Sequence, residues 1–127
     1  MDTLQFIWQY VMGKYGHTEI VKILEPLSNS HDTPGKNGET PINEAANYGH
    51  TEILKILAPL TDNPNTPDNH GNTPIFSAAR NGHTEIVKIL CPLTDNPNAS
   101  NNYGLTPLSV AQKDEICRVL ESFKISD

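Results

Sequence analysis

Hydrophobic and polar positions recur along this chain with a period of 33 residues. Residues 36–68 and 69–101 align with 21 identities in 33 positions. A period of this length indicates an array of small units, each of which buries one face on its neighbour. Gly-His-Thr-Glu-Ile begins at Gly16, Gly49 and Gly82, and Thr-Pro begins at Thr40, Thr73 and Thr106.

Each unit is predicted to contain a turn followed by two short helices. In the unit 69–101, Thr73 is a suitable N-cap and Pro74 suits the first helical position, where its missing N–H costs nothing. The first helix is predicted from Ile75 to Arg80, and Asn81-Gly82 ends it. The second helix is predicted over about 83–91 with one apolar face, and Pro92 marks its end.

The two ends of the chain depart from this pattern. Residues 7–12 replace the Thr-Pro segment and carry bulky side chains at helical spacing, which predicts a capping helix. Near the other end, three residues of the turn between the helices are missing, and the last helix is predicted from about Asp114 to Phe123. We therefore predict one domain over 1–127, divided into four units: 1–35, 36–68, 69–101 and 102–127.

The repeated residues identify a family. Gly-x-Thr-Pro-Ile/Leu, then Ala-Ala-x-x-Gly-His, then Glu-Ile-Val-Lys-Ile-Leu, spaced as here, resembles the ankyrin repeat over nearly the whole chain. The resemblance implies an all-α solenoid of stacked helix-turn-helix units with projecting turns, or fingers. It also implies a non-catalytic module that binds another protein through its concave face. One departure is that Asn43, Phe76 and Ser109 stand where the family motif has His.

The differences between the two full units concentrate on one face. Ten of the twelve differing positions lie in the finger, its approach or the first helix, and two lie in the second helix. These differences reflect either selection for binding or drift at exposed positions. The predicted protein-binding residues are Lys36, Asn37, Glu39, Asn47, Tyr48, Asn69, His70, Asn72, Phe76, Arg80, Asn81, Asn102, Tyr103, Leu105 and Lys113.

Five of these residues are the expected anchors, because aromatic residues and Arg most often carry binding energy. For Phe76 the alternative is burial between first helices, and for Tyr48 it is a structural role in the turn. The face carries three basic residues against Glu39, which favours a weakly acidic partner surface. The anchors are Tyr103, Leu105, Phe76, Arg80 and Tyr48.

Catalytic and metal-binding chemistry is not expected. His17, His50 and His83 recur at the repeat period, but equivalent residues of stacked units lie roughly 10 Å apart, too far to share a metal. We expect them to bond to neighbouring backbone at the start of each second helix. Glu44 and Glu39 could lie near His70 as an acid–base pair, but the sequence offers no nucleophile or phosphate-binding loop. We expect no enzyme activity, no metal and no cofactor.

The resemblance suggests one modification. Ankyrin repeats can be hydroxylated at the Asn that closes the loop between units, and Asn65 and Asn98 occupy that position here. Pro64 and Pro97 precede them and depart from the commoner pattern.

Composition narrows the partners and the compartment. A net charge of −6 weighs against binding to nucleic acid or anionic membrane. Cys91 and Cys117 form no metal-binding pair, and no secretory segment or apolar span is evident, so we expect a monomeric intracellular protein, cytoplasmic or nuclear. Three functions remain open: an adaptor that binds another protein, an inhibitor that occludes an enzyme or transcription factor, and an engineered ankyrin scaffold.

Overall fold

The computed structural model describes residues 38, 40–61 and 63–123. Within these residues it contains α-helices and short 3-10 turns arranged in pairs. The predicted capping unit 1–35, with its helix over 7–12 and His17, lies outside the described residues, as do Lys36, Asn37 and Glu39. The helices are α1 (Pro41–Tyr48), α2 (Thr51–Leu57), α3 (Pro74–Asn81), α4 (Thr84–Leu90), α5 (Pro107–Val110) and α6 (Asp114–Ser122).

The predicted start and end signals of the first helices are confirmed. The hydroxyl of Thr73 accepts a hydrogen bond from the backbone N–H of Phe76 at 3.1 Å, and Pro74 is the first helical residue. Thr40 caps α1 in the same way. Helix α3 ends at Gly82, whose φ of 78° is left-handed and therefore suits glycine.

In both full units the second helix is short and continues into a 3-10 turn. Helix α4 begins at Thr84 and ends at Leu90, close to the predicted bounds of 83–91. The chain then forms the 3-10 turn Cys91–Leu93, so Pro92 lies inside a turn rather than directly after the helix. Proline is tolerated there because the first N–H groups of a helical segment have no internal partner.

One apolar core runs along the stack. The first helices contribute alanines, with Ala45, Ala46, Ala78 and Ala79 fully buried, so α1, α3 and α5 approach closely side by side. The second helices pack behind them and bury one face each. The larger core residues are Ile42, Ile53, Leu54, Leu57, Ile75, Ile86, Val87, Leu90, Ile116 and Leu120.

The last described helix packs one apolar face on the preceding unit and exposes charged residues. Helix α6 matches its predicted range of 114–123, and it buries Ile116 and Leu120 against α4. It carries several exposed charged residues, and the carboxylate of Glu115 lies 2.7 Å from the ammonium group of Lys88 on α4. This ion pair lowers the pKa of Glu115, because the nearby cation favours the carboxylate.

Candidate protein-binding face

A small cleft lies where the first helices meet the finger of the third unit. It has a volume of about 220 Å³ and is lined by polar and charged residues. Helix α1 supplies one wall and helix α3 the other, while the finger forms the rim. The residues that line the cleft are Asn43, Glu44, Asn47, Asp68, His70, Ser77 and Arg80.

Asp68 shapes the finger above the cleft. Its carboxylate accepts hydrogen bonds from the backbone N–H groups of His70 at 2.8 Å and Asn72 at 3.0 Å. Gly71 lies between these residues with φ of 78°, a conformation that a residue with a side chain rarely adopts. The carboxylate is thus committed to the turn, and His70 is held exposed at its tip.

Successive fingers are joined by hydrogen bonds into one continuous edge. The backbone N–H of Asn102 donates to the carbonyl oxygen of His70 at 2.9 Å, and its side-chain amide donates to the carbonyl oxygen of Asn69 at 3.0 Å. The amide of Asn101 donates to the side-chain oxygen of Asn72 at 2.9 Å. The third and fourth fingers therefore move as one surface.

The rings at the two finger tips also meet. The imidazole of His70 and the ring of Tyr103 are stacked with centroids 6.1 Å apart, and His70 Nδ1 lies 3.1 Å from the Tyr103 hydroxyl. Tyr103 is nevertheless 69% exposed, and Leu105 beside it is 45% exposed. Both side chains therefore expose apolar surface to solvent, and their role as anchors stays a prediction.

Phe76 corrects the sequence analysis. It is only 1% exposed, so it is a buried residue rather than a direct contact for a partner. Phe76 on α3 stands at the position that Asn43 occupies on α1, and both side chains are buried. Its ring instead supports Arg80, whose guanidinium carbon lies 5.4 Å from the ring centroid. A cation over an aromatic face is attracted to it, so Phe76 holds Arg80 in place at the cleft.

The other predicted positions on the first helices divide by role. Tyr48 is 45% exposed and stacks on His50 with centroids 6.2 Å apart. The side-chain amide of Asn81 donates to both the backbone and side-chain oxygens of Asn47, at 3.0 and 2.9 Å, so this pair joins two units. Lys113 is exposed and lies beside Gly82.

Sequence reasoning missed several residues of the cleft. Asp68 and Ser77 were not among the predicted contacts, and Glu44 was considered only as a carboxylate near His70. The structure places Glu44 and His70 on the same cleft. Positions 43, 44 and 68 are all among the twelve that differ between the full units, so the signal was present in that comparison.

The three residues that replace the family's His have three different roles. Asn43 is buried, and its amide reaches the carbonyl oxygens of Thr66 at 3.4 Å and Asn72 at 3.3 Å. It therefore ties α1 to the next finger through side-chain hydrogen bonds. Phe76 packs in the core and supports Arg80, and Ser109 completes a capping box with Thr106 at the start of α5.

His83 has the structural role predicted for the repeated histidines. Its Nε2 lies 3.3 Å from the carbonyl oxygen of Asn47 in the preceding unit. Among the described residues, no three His, Cys, Asp or Glu side chains converge as a metal ion would need. In the same part of the chain, the helices are too short or too polar to cross a bilayer.

The two asparagines considered for hydroxylation make structural hydrogen bonds. Asn65 is buried, and its side-chain oxygen accepts from the backbone N–H of Ile75 at 3.3 Å. The amide of Asn98 donates to the carbonyl oxygen of Leu120 at 3.2 Å. Both side chains join a loop to a helix, and their hydroxylation stays a prediction.

Comparison with known proteins agrees with this architecture. A model of the family described as ankyrin repeats (3 copies) matches residues 8–100 and 61–125. No significant match was found among curated proteins. Ankyrin repeats are generally protein–protein interaction modules and typically have no catalytic activity. The paired helices, the buried alanines and the projecting fingers are those of this family, and the chain belongs to the ankyrin repeats.

Proposed function

We propose that the chain binds another protein through the binding face, defined as the cleft together with the fingers at 68–73 and 101–106, and that it does so without catalytic activity. The observation that carries the proposal is the exposed, preorganised group of side chains on this face. Arg80 is held over Phe76, and Tyr103 and Leu105 present apolar surface on the joined fingers. Preorganised side chains lose little entropy on binding, so more of their contact energy appears as affinity.

Arg80 is the group best suited to recognise a charged partner. Its guanidinium is exposed and forms no ion pair with any residue that the structure describes. The cleft also contains Glu44 and Asp68, and Oδ1 of Asp68 accepts hydrogen bonds from two backbone N–H groups of its turn. A carboxylate from the partner could therefore form a bidentate pair with Arg80 at the cleft rim.

The variation between units supports the same face. The second helices are nearly identical in both full units, and their main apolar residues are buried in the stack. Most differences between the units lie elsewhere, and they include four positions at the cleft: Asn43, Glu44, Asp68 and Arg80. A scaffold that keeps its core constant and varies one face is suited to recognising a specific partner.

Affinity capture with two matched variants tests the proposal. The first variant carries Arg80→Ala, Tyr103→Ala and Leu105→Ala on the binding face. The control carries Arg118→Ala and Leu93→Ala, which are exposed positions at the second helices. We expect the control to retain the partners of the unmodified chain and the first variant to lose them by about tenfold or more, because each anchor contributes at least ~1 kcal/mol.

Two results would contradict the proposal. Retention of the same partners by the face variant would show that another surface binds them. Binding that is insensitive to salt would argue against an acidic group meeting Arg80, because pairing between exposed charges weakens as ionic strength rises.

A further inference from the structure

The fourth finger has backbone carbonyl groups placed like those with which the third finger accepts hydrogen bonds from its neighbour. In the third finger, the carbonyl oxygens of Asn69 and His70 accept hydrogen bonds from the side chain and backbone of Asn102. The equivalent carbonyl oxygens one period later belong to Asn102 and Tyr103. They accept no hydrogen bond from any described residue.

The glycines of the fingers show the same contrast. A Cβ built on Gly71 would meet the side-chain oxygen of Asn102 at 2.5 Å and its backbone nitrogen at 2.8 Å. A Cβ built on Gly38 would meet Asn69 in the same way, with the backbone nitrogen at 2.9 Å. Around Gly104, no described residue lies within 4 Å of that position, although its φ of 80° matches the others.

The helices of the last unit do not share this open edge. Glu121 on α6 stands at the position of Ala58 and Cys91, which are buried in the two full units, so a further pair of helices would bury its carboxylate. Burying a carboxylate is costly, so the helices of this unit are poorly suited to a further helix pair, while the finger can accept another turn.

We propose that the edge formed by Asn102, Tyr103 and Gly104 is a second docking surface, which binds a tight turn of a partner polypeptide containing Asn followed by an aromatic residue or His. The contacts of Asn102 with the third finger specify this turn, and the Asn69 side chain lies over Gly38 in the same way. The partner's Asn donates its backbone N–H to the carbonyl oxygen of Tyr103 and its side-chain amide to that of Asn102. Its oxygen lies over Gly104, as that of Asn102 lies over Gly71.

The residue after the partner's Asn is specified by stacking. Between the third and fourth fingers, the ring of His70 stacks on the ring of Tyr103, its equivalent one unit later, with centroids 6.1 Å apart. Tyr103 is 69% exposed and offers its other face to the next ring. An aromatic or imidazole ring gains contact there, because offset aromatic pairs are favourable beyond the area they bury.

A cyclic peptide of this chain's own finger, residues 99–107, is the probe. It is added at up to millimolar concentration to the full-length ¹⁵N-labelled chain, and amide shifts are followed by NMR. We expect saturable shifts centred on Asn102, Tyr103 and Gly104. A control peptide with Asn102→Asp, which lacks the side-chain donor, is expected to bind about 2- to 12-fold more weakly.

Two variants of the full chain separate this edge from the cleft. Gly104→Asn places a side chain where the partner's Asn would lie, and asparagine tolerates positive φ, so the chain stays folded and loses the shifts. Arg80→Ala, in the cleft, keeps them. Four results would overturn the proposal: no saturable shifts, equal affinity of both peptides, unchanged binding to Gly104→Asn, or self-association of the chain through the same amides, which would make a second copy the occupant.

Discussion

The imidazole of His83 lies directly against Gly49 of the preceding unit. A Cβ built on Gly49 would be 2.6 Å from His83 Cε1, a distance that real side chains do not adopt. The same imidazole bonds to the carbonyl oxygen of Asn47 at 3.3 Å. The glycine of the Gly-His pair is therefore required twice, once for its left-handed φ of 77° and once for the close approach of the next unit's histidine.

This contact predicts unequal costs for one substitution at two sites. Gly49 and Gly104 have φ of 77° and 80°, so changing either to Ala introduces similar backbone strain of about 1–2 kcal/mol. Only Gly49→Ala also meets the His83 ring. We expect it to lower the free energy of unfolding by at least ~1 kcal/mol more than Gly104→Ala, measured by urea denaturation.

A double-mutant cycle identifies the cause. In a His83→Ala background the added methyl of Gly49→Ala has space, so its extra cost should disappear. A difference that persists in this background would mean that backbone strain, not the histidine contact, separates the two glycines.

The helices were predictable because their signals are local. Thr73 and Pro74 specify where α3 begins, and Gly82 where it ends, whatever surrounds them. The apolar face of α4 follows from residue spacing alone. The repeat strengthened each helix prediction, since the same signals recur one period apart.

The binding face was less predictable because it depends on how units stack. Phe76 and Arg80 are both on α3, and only the packing of first helices decides that the ring is buried and the guanidinium exposed. Asp68 was missed for a similar reason, because its role in the turn depends on backbone N–H groups that sequence does not locate. The exposure of Tyr103 and Leu105 was predictable, since a finger tip projects in any arrangement of the units.

Leu90 tests the contribution of the stack to stability. It is fully buried between second helices, so Leu90→Ala should lower the free energy of unfolding by about 2–5 kcal/mol through lost burial and a residual cavity. Leu93 is the matched control: it is three residues later and 48% exposed, and Leu93→Ala should cost no more than ~0.5 kcal/mol. Equal costs in denaturant unfolding would contradict the assigned burial.

Phe76 and Arg80 should separate stability from binding. Phe76→Ala removes a buried aromatic ring and is expected to cost about 3–5 kcal/mol in the free energy of unfolding. Arg80→Ala removes an exposed side chain and should cost less than ~1 kcal/mol while weakening partner capture. If Arg80→Ala destabilised the fold as much as Phe76→Ala, the residue would be structural and the proposed face would lose its charged anchor.

Cys91 should make stability fall in alkaline solution. It is fully buried in the stack, and burial raises the pKa of its thiol to about 11, because the thiolate is poorly solvated there. A thiol in the unfolded chain has a pKa near 8.5, so between about pH 9 and pH 11 the folded state binds more protons than the unfolded state. Stability is therefore fully present below about pH 8.5 and is lost as the pH rises toward 11, by on the order of 1–3 kcal/mol.

The repeat supplies the control for this alkaline effect. Ala58 occupies the equivalent position in the preceding unit and is also buried, so Cys91→Ala is a substitution that the stack already contains. Lysines and tyrosines titrate equally in both proteins, and only the thiol differs. We expect the free energy of unfolding of Cys91→Ala to decline less steeply between pH 9 and 11, whatever its value at neutral pH. Parallel pH profiles for the two proteins would show that the buried thiol does not couple folding to proton release.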